Sequence, residues 1–123
     1  MPRFVLLQHD HPELHWDFML EHGAALKTWR LARPPSRKGD VIPALPLGDH
    51  RLAYLDYEGP VSGNRGQVKR CASGTYELSE GAVENDHFIA QLECEHWRAS
   101  VRMTCDQENN RQLEVIALAS VEA

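Results

Sequence analysis

His9, His15, Asp17 and His50 are the residues of this chain whose types and spacing can do chemistry. Neutral imidazoles and a carboxylate bind Mn, Fe, Co or Zn ions, and a site with three protein ligands leaves positions open for water or substrate. His15 and Asp17 lie in Leu14-His15-Trp16-Asp17-Phe18-Met19-Leu20-Glu21, where the even positions are all apolar and the odd ones mostly polar or ionisable. Such alternation predicts a half-buried β-strand, with one face built to pack and the other presenting the imidazole and the carboxylate side by side. His9 ends another apolar run, Phe4-Val5-Leu6-Leu7, and His50 stands in Gly48-Asp49-His50-Arg51. If the strands at Phe4, Leu14 and Leu52 are neighbours, His9, Asp17 and His50 converge. From spacing alone, a satisfied surface histidine and a metal ligand both stand as readings.

Other groups fall near this set. Glu21, on the same polar face, can either hold an imidazole tautomer or sit as an exposed strand-end charge. Tyr54 follows His50 by four residues and, on a regular strand, shares its face, where its hydroxyl can reach a bound phosphate. Arg33 and Arg65 lie in turn regions, where a guanidinium can grip a phosphate bidentately or simply be a solvated charge. Ser62-Gly63-Asn64-Arg65-Gly66 is a turn and not a Walker loop, since no Gly-Lys-Ser/Thr follows. No Gly-x-Ser-x-Gly elbow supports a nucleophilic triad.

The elements that must position these residues read as short strands: Phe4–Gln8, Leu14–Glu21, Leu26–Leu31, Leu52–Tyr57, Gly66–Arg70, Gly74–Leu78, His87–Glu93, Ala99–Thr104 and Leu113–Ala119. Breakers separate them, and Glu21-His22-Gly23-Ala24 reads as a hairpin connection. Spacings near ten residues predict a mainly β fold with little helix, either a small antiparallel β-barrel or a sandwich, as one domain over residues 1–123. Arg33–Asp49 reads as a long loop holding four of the seven prolines, and a short helix is expected near Ser79–Asn85. Trp16, Phe18 and Trp29 read as core.

Bulk properties set limits. An apolar fraction of 42% and a charged fraction of 25% are those of a globular protein, and no run approaches a membrane span. The N-terminus shows no secretory signal, which predicts a cytoplasmic protein without a membrane partner. Three cysteines without CxxC spacing predict reduced, mostly buried thiols. A net charge of −5 argues against a broad nucleic-acid footprint, but not against a locally basic site that grips one end.

In order, His9-Asp10, then Leu14 to Glu21, Leu26-Lys27-Thr28-Trp29, Asp49-His50-Arg51-Leu52-Ala53-Tyr54 and Tyr57-Glu58-Gly59 resemble the 3′-phosphoesterase domain of bacterial DNA ligase D and its stand-alone relatives. The resemblance covers residues 4–78; beyond it the match is only to generic strands. It implies a compact β-barrel enzyme that removes a 3′-ribonucleoside and then a 3′-phosphate from DNA or RNA-tipped DNA ends during repair. It implies metal ligands at His9, Asp17 and His50, a transition-state or acid role for His15, and substrate contacts at Arg33 and Tyr54. Manganese is the implied ion, with zinc or cobalt as alternatives, and DNA ligase or polymerase on other chains as partners. The family's strand reads His-x-Asp-Phe-Arg, with the arginine on the scissile phosphate; Met19 stands there, and methionine donates no hydrogen bond. Arg65 is the candidate to replace that guanidinium. The family also carries catalytic residues in an N-terminal extension, whereas this sequence begins almost at the first shared strand. The leading expectation is therefore a metal-dependent phosphoesterase. The alternatives are a non-catalytic barrel that binds nucleic-acid ends and an enzyme acting on a smaller nucleotide.

Overall fold

The computed structural model describes residues 1–121. Its strands are β1 (Arg3–His9), β2 (His15–His22), β3 (Ala25–Leu31), β4 (Val41–His50), β5 (Gly59–Pro60), β6 (Gln67–Ala82), β7 (His87–Cys94), β8 (Trp97–Cys105) and β9 (Arg111–Ser120). All pair antiparallel in one sheet, ordered β1-β2-β3-β4-β9-β8-β7-β6-β5, and a further β1–β6 pairing closes eight of them into a ring. β5 stays outside the ring as a two-residue addition to β6. Closure leaves few open strand edges. Among the described residues, no helix is long and apolar enough to cross a membrane.

Alternation in β1 and β2 sends Phe4, Leu6, Phe18 and Leu20 inward, where they meet Trp29, Leu31, Phe88 and Met103. Phe18 lies directly opposite Trp29 in the β2–β3 register, and Trp29 packs in turn on Phe88, the ring centroids 5.7 Å apart. Trp16 is partly buried against the same core. The expectation that β2 is half-buried needs correction. The opposite face of β1–β2–β3 is also covered, by a second apolar cluster of Val5, Leu7, Met19, Leu26, Leu55 and Val68.

That cover explains another correction. Leu52–Tyr57 is not a strand: Leu52–Leu55 is a 3₁₀ turn. Such a turn eclipses residues three apart, so Leu52 and Leu55 both face the sheet and pack into the second cluster. Arg3 on β1 clamps the segment that follows, its guanidinium 2.7 Å from Asp56. The pairing raises the arginine's pKa and holds the exposed aspartate below the ordinary carboxylate range.

The strand before it, β4, occupies much of what reads as loop in Arg33–Asp49. Pro43 and Pro46 hide the pattern. β4 gives Val41–Ala44 to β9 and Ala44–His50 to β3, so each proline has an unpaired edge for its missing N–H. The true loop is shorter and is held by the Asp40 carboxylate, which accepts from the backbone N–H groups of Ser36 and Arg37.

β6 is one strand where the sequence suggests two. Gly74 sits where it crosses Glu93: a Cβ there would lie 1.9 Å from the Glu93 carbonyl oxygen, so only glycine fits. The expected helix near Ser79–Asn85 reduces to the 3₁₀ turn Val83–Asn85 after β6. The β2–β3 hairpin forms where expected, with His22 opposite Ala25. The cysteines are free, but Cys71 is exposed and Cys94 and Cys105 are half-buried, contrary to the buried thiols expected.

Asp86 ties the ring together from inside. It is 5% exposed and adopts the left-handed conformation, with φ of 54°. One carboxylate oxygen accepts from the Trp29 indole N–H at 3.2 Å and the other from Arg111 at 2.9 Å. Truncation would leave a buried indole N–H and a half-buried guanidinium without partners. Asp86→Ala is expected to destabilise the protein by about 2–4 kcal/mol in chemical denaturation, from loss of the buried pair and the left-handed strain. Asp86→Asn keeps an acceptor for Trp29 and tolerates the backbone, so it should cost less.

Candidate metal centre

The outer face of β1–β2–β3 carries the chemistry. In the β1–β2 register His9 stands opposite His15, and in the β2–β3 register Asp17 stands opposite Arg30. Residues opposite one another share a face. The potential ligand atoms of His9, His15 and Asp17 accordingly lie within 4.8 Å of one another. His9 Nδ1 is 3.6 Å from one Asp17 oxygen and His15 Nε2 is 3.2 Å from the other. His15 and Asp17 are buried, at 5% and 3% exposure, so water does little to solvate them.

The proton positions follow from backbone carbonyls, which only accept. His15 Nδ1 lies 2.8 Å from the Glu13 carbonyl, so Nδ1 carries the hydrogen and, in the neutral ring, Nε2 presents a lone pair to Asp17. His9 is held the other way round. Its Nε2 lies 2.7 Å from the Arg65 carbonyl, which leaves the Nδ1 lone pair toward Asp17. His15 Nε2 and Asp17 Oδ1 are both buried without a hydrogen-bond partner despite their closeness. Their separation is short enough for a hydrogen bond, but the angles do not make one. Two acceptors facing each other in a buried place call for a proton or a cation between or beside them. The donor set, imidazole nitrogen with carboxylate oxygen, suits a divalent transition ion.

A cavity of about 290 Å³ opens beside this group, lined by His9, His11, Asp17, Met19, Arg30, Leu47, His50, Tyr54 and Arg65 among others. His50 is likewise held by a carbonyl, its Nδ1 2.9 Å from that of Gly48, so that in the neutral ring Nε2 is left with the lone pair. It stands outside the compact group of His9, His15 and Asp17 but lines the same cavity. It reaches this place from the end of β4, opposite Leu26 of β3, and not from the start of a strand at Leu52. Tyr54 rests edge-on against His50, their ring centroids 5.7 Å apart.

The arginines divide. Arg65 lines the cavity, but its guanidinium turns back to Ser62, donating from Nε to the carbonyl at 2.7 Å. Its contribution to the centre is the carbonyl that holds His9. Gly66 makes that possible. With φ of +74° it lets the loop press against the β1–β2 turn, where a Cβ would lie 2.1 Å from an Asp10 oxygen. That same Asp10 oxygen accepts from the Gln67 N–H at 2.7 Å. Arg33 is exposed, donates to the Val41 carbonyl at 2.8 Å, and is not among the residues lining the cavity. Glu21 orients no imidazole: it accepts from the Arg3 backbone N–H at 2.9 Å, four residues along the strand from Asp17 and so roughly 13 Å away.

Sequence reasoning passed over Arg30 and His11, both of which line the cavity. The signal for Arg30 was present. It follows Trp29, a core residue, so alternation alone turns it to the face that Asp17 shares.

A family model described as the DNA ligase D 3′-phosphoesterase domain matches residues 7–111. Over 60 residues the chain is 37% identical to the multifunctional non-homologous end joining protein LigD of Pseudomonas aeruginosa. That stretch takes in 48% of this chain but 7% of the length of that protein. The matched region holds β2 to β8 whole, the end of β1, the start of β9, and all the cavity residues named above. The chain belongs to the DNA ligase D 3′-phosphoesterase domain family.

Proposed function

We propose that the chain is a metal-dependent phosphoesterase that acts on the 3′ ends of DNA or RNA-tipped DNA. It would be a single barrel unit over residues 1–123 working in the cytoplasm. The observation that carries this reading is the tautomer pattern. Three imidazoles, His9, His15 and His50, each have one ring nitrogen tied to a backbone carbonyl, which leaves the other as a lone pair around Asp17 and its cavity. Outer partners of this kind fix ring orientation in metal centres.

His9, Asp17 and His50 would hold the ion, with manganese the first candidate and zinc or cobalt the alternatives. A bound divalent cation would polarise a phosphoryl oxygen and favour attack by water. His15, buried and held by Glu13 through Nδ1, would first take up a proton on Nε2 and, as an imidazolium, pass it to the leaving 3′ oxygen or stabilise charge on the phosphoryl group. The Tyr54 hydroxyl would meet the phosphate. Arg33 and Arg65, both exposed, would reorient toward an incoming strand. Ligase or polymerase activities on other chains would use the resulting 3′-hydroxyl.

A specific observation favours a second reading, a non-catalytic barrel that binds nucleic-acid ends. Met19 is 1% exposed and packs with Val5, Leu7 and Leu26 on the face where the family carries a phosphate-binding arginine.

A labelled oligonucleotide ending in a 3′-phosphate or a single 3′-ribonucleotide tests the first reading. Release that depends on Mn²⁺ and on bound metal by elemental analysis is expected; neither release nor bound metal overturns it. Affinity for DNA ends without turnover of any phosphoester supports the second.

The variants separate the roles. His9→Ala and Asp17→Ala should lower Mn²⁺ affinity about 100-fold or more in calorimetric titration, since even outer partners are worth about 10–100-fold. His15→Ala should retain the ion and lower kcat by about 10²–10⁴. Loss of the ion in His15→Ala to the same degree as in His9→Ala would instead place His15 among the ligands.

A further inference from the structure

We infer that Arg30 forms an anion subsite beside the metal centre and binds the substrate phosphate there. The inference rests on the phosphoesterase reading for the identity of its ligand, but its physical basis is separate.

Arg30 lies directly across from Asp17 on β3, on the outer face of the sheet. Its Nε is buried and has no hydrogen-bond partner. The arginines that form ion pairs among the described residues are Arg3, Arg98, Arg102 and Arg111. Asp17, the nearest carboxylate in register, is within ion-pair distance of His9 and His15 instead. A buried N–H donor without a partner costs stability, about 1–3 kcal/mol and more for a charged group. In Arg30, which is half-buried, folding alone leaves the Nε–H unsatisfied, as expected of a group that waits for a ligand.

The surroundings name the ligand's chemistry. Arg30 lines the cavity of His9, Asp17, His50 and Tyr54, and also a neighbouring groove that holds His15. Arg30 thus lines space on both sides of the Asp17 cluster. A guanidinium presents Nε and a terminal nitrogen as a planar fork that matches two oxygens of a phosphate. Met19, the other long side chain of this face in the cavity, donates nothing, and the guanidinium of Arg65 is turned to Ser62. Among the described residues, Arg30 is the cavity arginine whose side chain makes no ion pair and is not turned to a backbone carbonyl. With a divalent ion held near Asp17, a phosphate entering the cavity would offer its negative charge to the ion and to the guanidinium alike.

Binding of inorganic phosphate to wild type and Arg30→Met tests this, by calorimetry with and without Mn²⁺. Methionine keeps the apolar stem and removes the fork. The expected result is a loss of phosphate affinity of about tenfold or more, the size of one charge-assisted hydrogen bond. Mn²⁺ affinity should be unchanged or tighter, because a like charge has gone, and the thermal midpoint should be unchanged or higher, because a buried unpaired donor has gone. A structural arginine would give the opposite sign for both. Equal phosphate affinity in the two proteins, no phosphate binding by wild type in either condition, or a parallel fall in phosphate affinity, Mn²⁺ affinity and thermal midpoint would overturn the inference. Phosphate binding that depends on Arg30 in a protein with no phosphoester turnover would uphold the subsite and reject the enzyme. Turnover with unchanged KM and unchanged phosphate inhibition in Arg30→Met would do the reverse.

Discussion

Asp17 faces two imidazole lone pairs in a buried place, and much of the rest of the structure serves to keep it there. In the neutral rings, acceptors so close repel, and neither His15 Nε2 nor Asp17 Oδ1 makes a hydrogen bond that would relieve this. The β1–β2 register brings His9 opposite His15, and carbonyls of Glu13 and Arg65 fix which nitrogen of each ring turns inward. Such an arrangement is costly in the bare protein and becomes favourable with a cation in reach.

The two-faced sheet supplies the stiffness that this cost demands. The interior aromatic core holds Phe18 and Trp29 on one side of β2 and β3, and the cluster under the Leu52–Leu55 turn covers the other. Side chains between two packed layers have few ways to move apart. The same covering turn brings Tyr54 to the cavity, and the Gly66 loop brings the Arg65 carbonyl to His9. Segments that read as connections are thus part of the centre.

How much of this was legible in the sequence differs by element. β2 announces itself because its alternation is uninterrupted, and the pairing of His15 with Asp17 on one face follows at once. β4 was hidden because Pro43 and Pro46 look like loop residues until each half of the strand is known to lack one neighbour. Leu52–Tyr57 reads as a strand in sequence, and only the second cluster shows that Leu52 and Leu55, three apart on a 3₁₀ turn, both cover the sheet. His50 reaches the cavity by a different route from the one its sequence neighbours suggest. The role of the Arg65 backbone could not be read from residue types, since any residue has a carbonyl. Arg30 could have been found by parity from Trp29, but without the register no residue marked it as Asp17's neighbour.

The central claim is that backbone carbonyls pre-set the imidazoles to offer lone pairs around Asp17. Long-range ¹H–¹⁵N correlation of the histidine side chains, on metal-free protein at a pH of about 8, well above the ordinary imidazole range, reads this directly. The account predicts His15 with its hydrogen on Nδ1 and His9 with its hydrogen on Nε2, with His15 Nε2 and His9 Nδ1 showing unprotonated shifts. The opposite tautomer at either residue, or fast exchange between the two forms, would contradict it.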